Sequence, residues 1–146
     1  MPFTPLMTRE AKLHIERKSV EVLGELYGSY KPVNKIEPED EDWLKKIGVN
    51  TIRDPVHDAA GINDDYPTGR GIFIEDGKEF VVLINFEDHI EIVMTPPNKD
   101  RNLKKCFTRL IKLNSTFEKI GFSSDPYLGS LTASPRNLGT GLSLSG

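Results

Sequence analysis

The segment from Tyr66 to Met94 constrains the fold of this chain more than any other part of the sequence. It contains three short apolar runs, at 71–74, 80–84 and 90–94, separated by two polar segments. The first separator includes Asp76-Gly77, and an Asp-Gly pair between two β-rich runs is a strong hairpin signal. The middle run is continuous in Phe, Val, Leu and Ile, which is typical of a strand covered on both faces. The segment therefore predicts antiparallel strands around a buried centre.

The second separator, Asn85-Phe86-Glu87-Asp88-His89, concentrates reactive side chains at one end of this predicted hairpin. Two carboxylates and an imidazole that are held together by a rigid scaffold are suited to acid–base work or to binding a cationic group. Taken alone, the same residues also fit a turn that closes a hairpin and has only a structural role. The pattern therefore indicates a candidate site and leaves both interpretations open.

A long amphipathic helix is predicted before this segment, over about residues 9–27. Thr8 is a suitable N-cap and Gly28 a suitable stop. Farther along, the acid run at 37–42 is expected to open a short helix that ends near Ile47-Gly48. The run has neither the glycine turn nor the closing glutamate of a calcium-binding loop, so no metal site is expected there.

A second amphipathic helix is predicted after the central segment, roughly over 101–119. Asp100 is placed to cap its N-terminus, and Gly121 ends it. Lysine and arginine cover its polar face, which fits either a solvated surface or a binding surface. Cys106 lies beside the apolar stripe, so we expect a partly buried, unreactive thiol. The loop predicted at 122–129 then leads into a short strand at 130–134.

Length and composition limit the class of protein. A chain of 146 residues can bury one core, and its formal net charge of −3 gives no basic footprint for nucleic acid. No apolar run approaches the length of a membrane span. The single cysteine excludes an internal disulfide and fits a reducing compartment, so we expect a cytoplasmic protein.

Two motifs make the sequence recognisable. In the first, Gly69-Arg70-Gly71-Ile72-Phe73 precedes the hairpin and Asn85, Glu87, Asp88 and His89 follow it. The second motif is LTASPRNLGTG, at residues 131–141. Both resemble the phosphagen kinases, the ATP:guanidino phosphotransferases that include arginine kinase and creatine kinase. Their pattern is roughly G-R-G-I-(aromatic)-H-N, then N-E-E-D-H-(Leu)-R, and later L-T-x-C-P-(S/T)-N-L-G-T-G. The order and approximate separation of the motifs also match.

The resemblance implies an α+β fold and covers part of the family's catalytic domain. The expected structure is an antiparallel sheet that contains the 70–95 hairpins and the C-terminal strands and is backed by the two long helices. Residues 1–146 are expected to form a single partial domain, about the central half of the family's catalytic domain. The resemblance also assigns a turn to Gly-Ser-Tyr-Lys-Pro at 28–32, and a tight turn at 137–141 that leads into a terminal strand.

The resemblance also implies a reaction and a set of roles. The family transfers the γ-phosphoryl group of ATP, bound with Mg²⁺, to a guanidino compound such as arginine or creatine, and catalysis there is mostly alignment and charge stabilisation. The matching positions are assigned to three groups: catalytic residues, residues that bind the guanidino substrate, and residues that bind the nucleotide. The catalytic positions are Glu87 and Ser134, the substrate-binding positions Asp88, His89 and Asn137, and the nucleotide-binding positions Arg70 and Arg136.

Several departures from the family pattern fall on the site. Glu91 and Ser143 stand where the family has phosphate-binding arginines, and Ser134 stands where it has its reactive cysteine. A serine hydroxyl is essentially un-ionised at neutral pH and cannot replace a thiolate. Phe86 and Ile74 also depart from the pattern. Because these changes spare the framework, they indicate a retained fold with impaired chemistry.

Two interpretations follow from this pattern. The chain is either a fragment or divergent kinase domain that needs further arginines for activity, or a non-catalytic module, a pseudoenzyme, of a larger assembly. An incomplete sheet would expose an edge, which makes another protein chain a plausible partner. The bacterial-type protein arginine kinases share the same catalytic domain, so the guanidino substrate is left open. Titration with Mg-ADP would separate the two interpretations.

Overall fold

The structure is a computed structural model that describes residues 3–51, 55–95, 102–121, 124–133 and 137–143. Its largest element is a four-stranded antiparallel sheet with the strands in the order β1-β2-β3-β4. The strands are β1 (Gly28–Pro32), β2 (Gly71–Glu75), β3 (Phe80–Ile84) and β4 (Ile90–Met94).

The three predicted strands of the central segment are confirmed. A turn at Asp76-Gly77 joins β2 to β3, and the Lys78 N–H donates to Glu75 O at 2.8 Å across it. Every residue of β3 is buried, as expected for a strand covered on both faces. In the register, Leu83 of β3 lies between Ile72 of β2 and Glu91 of β4.

The first strand corrects the prediction of a turn at 28–32. Gly28–Pro32 is β1, and it pairs along its whole length with β2. Tyr30 crosses directly over Gly71, where any Cβ would collide with the tyrosine ring. Pro32 is tolerated because β1 is an edge strand and the proline closes it. The prediction was wrong because a short segment with Gly and Pro also fits an edge strand. Here the adjacent strand has a glycine, Gly71, that leaves room for the Tyr30 ring.

The first predicted helix is present but shorter than expected. Helix α1 is Arg9–Leu23, and the Thr8 side chain accepts a hydrogen bond from the Ala11 N–H, which confirms the N-cap. The helix ends at Leu23, with Gly24 as C-cap, and not at the predicted Gly28. Residues 24–27 are needed to reverse the chain into β1, which explains the earlier end. Helices α2 (Pro38–Lys46) and α3 (Pro55–Ala59) follow, and α2 confirms the short helix opened by the acid run.

The last helix, α4, is Leu103–Phe117. Its N-cap is Asn102, whose side chain accepts from the Lys105 N–H at 3.1 Å, so the predicted capping by Asp100 is replaced. Asp100 itself lies outside the described residues. A 3₁₀ turn extends the helix to Ile120, and Gly121, with a φ of 84°, ends it as predicted. The Cys106 side chain is half-buried, also as predicted.

Two apolar cores lie on opposite faces of the main sheet. Helices α1 and α4 cover one face, and α2 covers the other. The first core is formed by Met7, Ile15, Leu23, Phe73, Phe80, Val82, Ile84, Leu113 and Phe117. The second is formed by Leu44, Val49, Ile72, Ile74, Val81 and Leu83. The two faces of β2 and β3 thus contribute alternate residues to separate cores, which fixes the register of the hairpin.

The C-terminal part corrects a second expectation. Its described residues, 124–133 and 137–143, do not join the main sheet but form a separate two-stranded sheet, β5 (Ser124–Asp125) and β6 (Gly129–Ser130). The predicted loop at 122–129 therefore contains a strand, the predicted strand at 130–134 begins earlier and is shorter, and 141–143 is not a strand. Gly139 pairs with Ser130 through two backbone hydrogen bonds of 2.9 and 3.0 Å. The α+β class is confirmed, with the C-terminal strands outside the main sheet.

Candidate functional site

The loop between β3 and β4, residues 85–89, is here called the tip loop. Its first residue, Asn85, has a left-handed backbone with a φ of 57°, a conformation that asparagine tolerates better than most residues. The Asn85 N–H donates to His89 O at 2.9 Å and closes the loop. The five residues between two sheet strands are therefore held in a compact turn.

The Asn85 side chain anchors the tip loop to the rest of the chain. It is 0% exposed, and its Nδ2 donates to Lys12 O at 2.9 Å and to Gly69 O at 2.6 Å. Gly69 is itself in a left-handed conformation, and a Cβ there would lie 2.9 Å from the Lys12 backbone carbon. One amide group thus joins α1, the turn before β2 and the tip loop.

Arg70 lies beneath the same loop and is 6% exposed. Its Nε donates to Asn85 O at 2.9 Å, and its two terminal nitrogens donate to Asn63 Oδ1 at 2.6 Å and Ile62 O at 2.7 Å. The guanidinium also lies 5.4 Å from the centre of the Tyr66 ring and 5.2 Å from that of Phe86. Burial lowers the pKa of Arg70 from its ordinary value, although arginine remains a cation there. Its predicted contact with nucleotide stays a prediction.

Asp88 connects the tip loop to the C-terminal segment. The side chain is 8% exposed, and its Oδ1 accepts from the Ala133 N–H at 2.5 Å. Its other oxygen accepts from Asn137 Nδ2 at 3.4 Å. Two of the predicted substrate-binding residues, Asp88 and Asn137, are therefore brought together although they are 49 positions apart in the sequence. The two recognised motifs meet at this carboxylate.

The remaining predicted residues divide into two groups. Glu87 and His89 are half-buried in the tip loop, on either side of Asp88. Ser134 and Arg136 lie outside the described residues, so their placement beside the tip loop stays a prediction. No group of three His, Cys, Asp or Glu side chains in the described ranges is arranged to hold a metal ion.

The electrostatic character of the site is negative. Glu91 follows the tip loop on β4, opposite Leu83, and is half-buried. Burial is the main cause that raises the pKa of Glu91, and the neighbouring charges of Asp88 and then Glu87 raise it further. Three acids therefore lie close together at this end of the sheet, and a cationic ligand would relieve the repulsion between them.

Sequence reasoning missed Lys12, which is 2% exposed beneath the site. Its Nζ donates to Asp64 O at 2.5 Å, and burial lowers its pKa despite the opposing charge of Asp65. Lys12 could have been found from the sequence, because it falls at helical spacing with the other residues on the buried side of α1. The buried residues of that helix are Lys12, Ile15, Ser19 and Leu23. A lysine on this stripe must find a polar partner inside the fold.

The helices of the described residues are also too short or too polar to cross a bilayer: the two longest, α1 and α4, have 15 residues each.

Comparison with known proteins agrees with the geometry. The family model of the ATP:guanido phosphotransferase C-terminal catalytic domain matches residues 12–145. Arginine kinase of Anthopleura japonica is 36% identical over 97% of this chain and 20% of its own length, and arginine kinase of Liolophura japonica is 36% identical over 98% of this chain and 42% of its own.

A solved structure is similar in the same way. The duplicated taurocyamine kinase from Schistosoma mansoni, with bound transition state analog components, superimposes with a TM-score of 0.84 and 34% identity. The match covers 96% of this chain and 20% of that chain. The chain thus spans less than half the length of these relatives. Both motifs and nearly the whole described fold lie within the matched region, so the chain belongs to the ATP:guanido phosphotransferase family and corresponds to part of its C-terminal catalytic domain.

Proposed function

We propose that residues 1–146 provide the guanidino-binding part of a phosphagen-kinase site, in a single partial domain that is catalytically impaired on its own. The family reaction is phosphoryl transfer between ATP and a guanidino compound such as arginine or creatine. The proposal is supported by the two motifs that meet at Asp88, and by the absence, at the matching positions 91 and 143, of the arginines that would hold phosphate.

The tip loop supplies the groups that this role requires. We assign Glu87 as the catalytic carboxylate, which would pair with the planar guanidinium through charged hydrogen bonds. Asp88 accepts hydrogen bonds from the Ala133 N–H and from Asn137, so part of its hydrogen-bonding capacity is used within the protein and the rest would face the substrate. We assign His89 and Asn137 as substrate-binding residues. Ser134, at the family's cysteine position, is assigned as a catalytic residue.

Glu91 is the observation that carries the proposal. It stands at the position of a phosphate-binding arginine, and its raised pKa reflects burial beside Asp88 and Glu87. An ionised Glu91 about 4 Å from a phosphate in a partly wet site would cost about 4 kcal/mol, or about three tenfold steps in affinity. The described residues of this site therefore suit a planar cation and do not suit a triphosphate with its Mg²⁺. Nucleotide binding would rest on Arg136 and on cations supplied from elsewhere.

Phe86 adds to this picture. Where the family has a glutamate, this chain places an aromatic ring against the Arg70 guanidinium. A ring can cover a buried cation and hold it by a cation–π contact, but it cannot orient a guanidino substrate through hydrogen bonds. The substitution therefore removes one carboxylate from the substrate side and leaves Glu87 as its main anionic contact.

Separate calorimetric titrations with free arginine and with Mg-ADP test the proposal. The wild-type chain is expected to bind arginine and to show no heat with millimolar Mg-ADP, and Glu87→Gln should weaken arginine binding about tenfold. Glu91→Arg should create or strengthen Mg-ADP binding. Glu25→Arg makes the same change of charge at an exposed position after α1 and is the matched control.

Three outcomes would contradict the proposal in whole or in part. Tight binding of Mg-ADP by the wild-type chain would show that the nucleotide site is intact. Arginine binding that is equal in the wild type and in Glu87→Gln would remove the tip loop from the substrate site. Equal gains of Mg-ADP binding in Glu91→Arg and Glu25→Arg would reduce the role of Glu91 to a general effect of net charge.

A second candidate function is a non-catalytic interaction module, a pseudoenzyme within a larger assembly. The observation that favours it is the edge of the main sheet: among the described residues no strand pairs with the outer side of β4. Such an edge can accept a strand from another chain. Light scattering over a range of concentrations, combined with hydrogen exchange of the β4 amides, tests whether two copies pair there. A monomer with fast-exchanging β4 amides at every concentration would exclude this self-pairing.

We also place the chain in the cytoplasm. The support for this is the single cysteine, Cys106, which fits a reducing compartment.

A further inference from the structure

A buried hydrogen-bonded cluster underlies the tip loop. It consists of Lys12, Asn63, Arg70 and Asn85 and is here called the Arg70 junction. Arg70 donates from each of its three guanidinium nitrogens, once to the tip loop at Asn85 O and twice to the preceding turn, at Asn63 and Ile62. The Asn85 amide then donates onward to Lys12 O and Gly69 O. The junction therefore ties the loop to two other parts of the chain.

We infer that Arg70 is a positioning residue, which holds the Glu87 and Asp88 carboxylates in place through the backbone of Asn85. This inference rests on the proposed guanidino-binding function, because it concerns the same two carboxylates. It gives Arg70 a role different from the nucleotide contact that the family resemblance implies.

The geometry of the guanidinium supports this role. Arg70 is 6% exposed, and aromatic rings of Tyr66 and Phe86 lie within 5.4 Å of its central carbon. Its three nitrogens are engaged with protein oxygens at 2.6–2.9 Å. A phosphate would reach this cation only if the rings and the hydrogen bonds were displaced. The planar fork is thus used to join protein segments.

The effect on the site follows from the short distance along the chain. Glu87 is two residues after Asn85, and the loop returns at His89, which accepts from the Asn85 N–H. Without Arg70, the Asn85 carbonyl would be a buried acceptor without a donor, and the loop would move to restore one. Because Glu87 and Asp88 follow Asn85 by only two and three residues, they would move with it.

Arg70→Lys is the central test, with Arg109→Lys as matched control. Lysine keeps the charge but cannot donate in three fixed directions. Like Arg70, Arg109 lies over an aromatic ring, that of Phe80, but it is at the opposite end of the sheet and pairs there with the acids Glu75 and Glu79. The readouts are calorimetric titration with free arginine and with Mg-ADP, and the backbone amide resonances of 87–89 without any ligand.

Arg70→Lys is expected to shift the 87–89 resonances in the folded protein and to weaken arginine binding about tenfold. Arg109→Lys should leave both within error of the wild type. A purely structural role would lower the unfolding midpoint but leave the folded-state resonances and the arginine affinity unchanged, and this result would overturn the inference. Should the wild type bind Mg-ADP after all, a loss of that binding in Arg70→Lys with unmoved resonances would also overturn the inference and would assign Arg70 to the nucleotide.

The inference can still be tested if Arg70→Lys does not fold or if the wild-type chain binds no arginine. Should Arg70→Lys fail to fold, Asn63→Ala removes one outer acceptor while the bond to Asn85 O is kept, and it should shift the same resonances by a smaller amount. Unmoved resonances in Asn63→Ala would then contradict the inference. Should the wild-type chain bind no arginine, the proposed function fails, whereas the ligand-free resonances still decide whether Arg70 positions the loop.

Discussion

The two ends of the main sheet hold their cations by different means. At the tip-loop end, Arg70 is buried and donates to neutral carbonyl and amide oxygens. At the opposite end, beside the β2–β3 turn, Lys78 and Arg109 are more exposed and pair with the carboxylates of Asp40 and Glu75. Exposed ion pairs contribute little to stability, whereas a buried cation that donates from each of its nitrogens holds its neighbours in one arrangement. The buried, directional contacts therefore lie at the end of the sheet that carries the candidate site, and the exposed ion pairs lie at the other end.

The largest expected difference between the ends concerns two glycines. Gly69→Ala should lower the free energy of unfolding by about 3 kcal/mol, because the new Cβ meets the Lys12 backbone at 2.9 Å in a left-handed conformation. Gly77→Ala in the β2–β3 turn meets only the flexible Glu75 carboxylate and should cost less than about 1 kcal/mol. Urea unfolding of both variants measures the difference. Equal losses would show that the tip-loop end is no more tightly packed.

A second contrast uses two residues with the same backbone conformation. Asn85 and Lys78 have φ angles of 57° and 53°, which glycine adopts without strain. Asn85→Gly should still destabilise the fold by about 2 kcal/mol, because it deletes two buried hydrogen bonds. Lys78→Gly should change stability by less than about 0.5 kcal/mol, since relief of strain offsets the lost pair with Asp40. A neutral Asn85→Gly, measured by thermal and urea unfolding, would contradict the anchoring role of this amide.

The smallest expected effect is one of pH. Burial, and then Asp88 and Glu87, raise the pKa of Glu91 in the folded chain, so the folded state binds this proton more tightly than the unfolded state. The contribution of Glu91 to the free energy of unfolding is therefore greatest in acid, and it is lost as the pH rises through the pKa that Glu91 has in the folded state. Glu91→Gln should stabilise the fold by about 1 kcal/mol at neutral pH and by less in acid. Urea unfolding at several pH values measures this.

Asp40, at the other end of the sheet, is the control because its pKa is shifted in the opposite direction. The hydrogen bond from Lys31, at 2.7 Å, is the main cause that lowers the pKa of Asp40. Its contribution is therefore present above the unfolded pKa and is lost as the pH falls through the folded one. Asp40→Asn should destabilise at neutral pH by at most about 1 kcal/mol, with a smaller difference in acid. Effects of the same sign in both variants would contradict the opposite contributions of these two carboxyl groups to stability.

Much of the framework was predictable because local patterns determine it. The Asp-Gly turn and the continuous apolar run fixed β2 and β3, and Thr8 marked the start of α1. The errors occurred where a long-range contact decides the structure. Gly28–Pro32 becomes a strand only because Gly71 leaves room for Tyr30, and the C-terminal strands pair with each other and not with the main sheet.

The site was predictable in composition but not in internal organisation. The family motifs located Glu87, Asp88 and Asn137, and the structure brings Asp88 and Asn137 within hydrogen-bonding distance. The buried partners of the tip loop were not predictable in the same way. Lys12 is 73 positions before Asn85, and only the folded chain brings its carbonyl to the Asn85 amide. A pattern in one segment carries no information on such a distant acceptor.

The acceptors of Arg70 affect which residues of the tip loop can be substituted. Two of its three partners, Ile62 O and Asn85 O, are main-chain atoms that every residue type provides. The side chains at 87 and 91 can therefore be exchanged without removing these two acceptors. Positions 87 and 91 are for this reason suitable places to build a library of recognition variants on an unchanged scaffold, and the same independence accounts for a framework that tolerates Glu91.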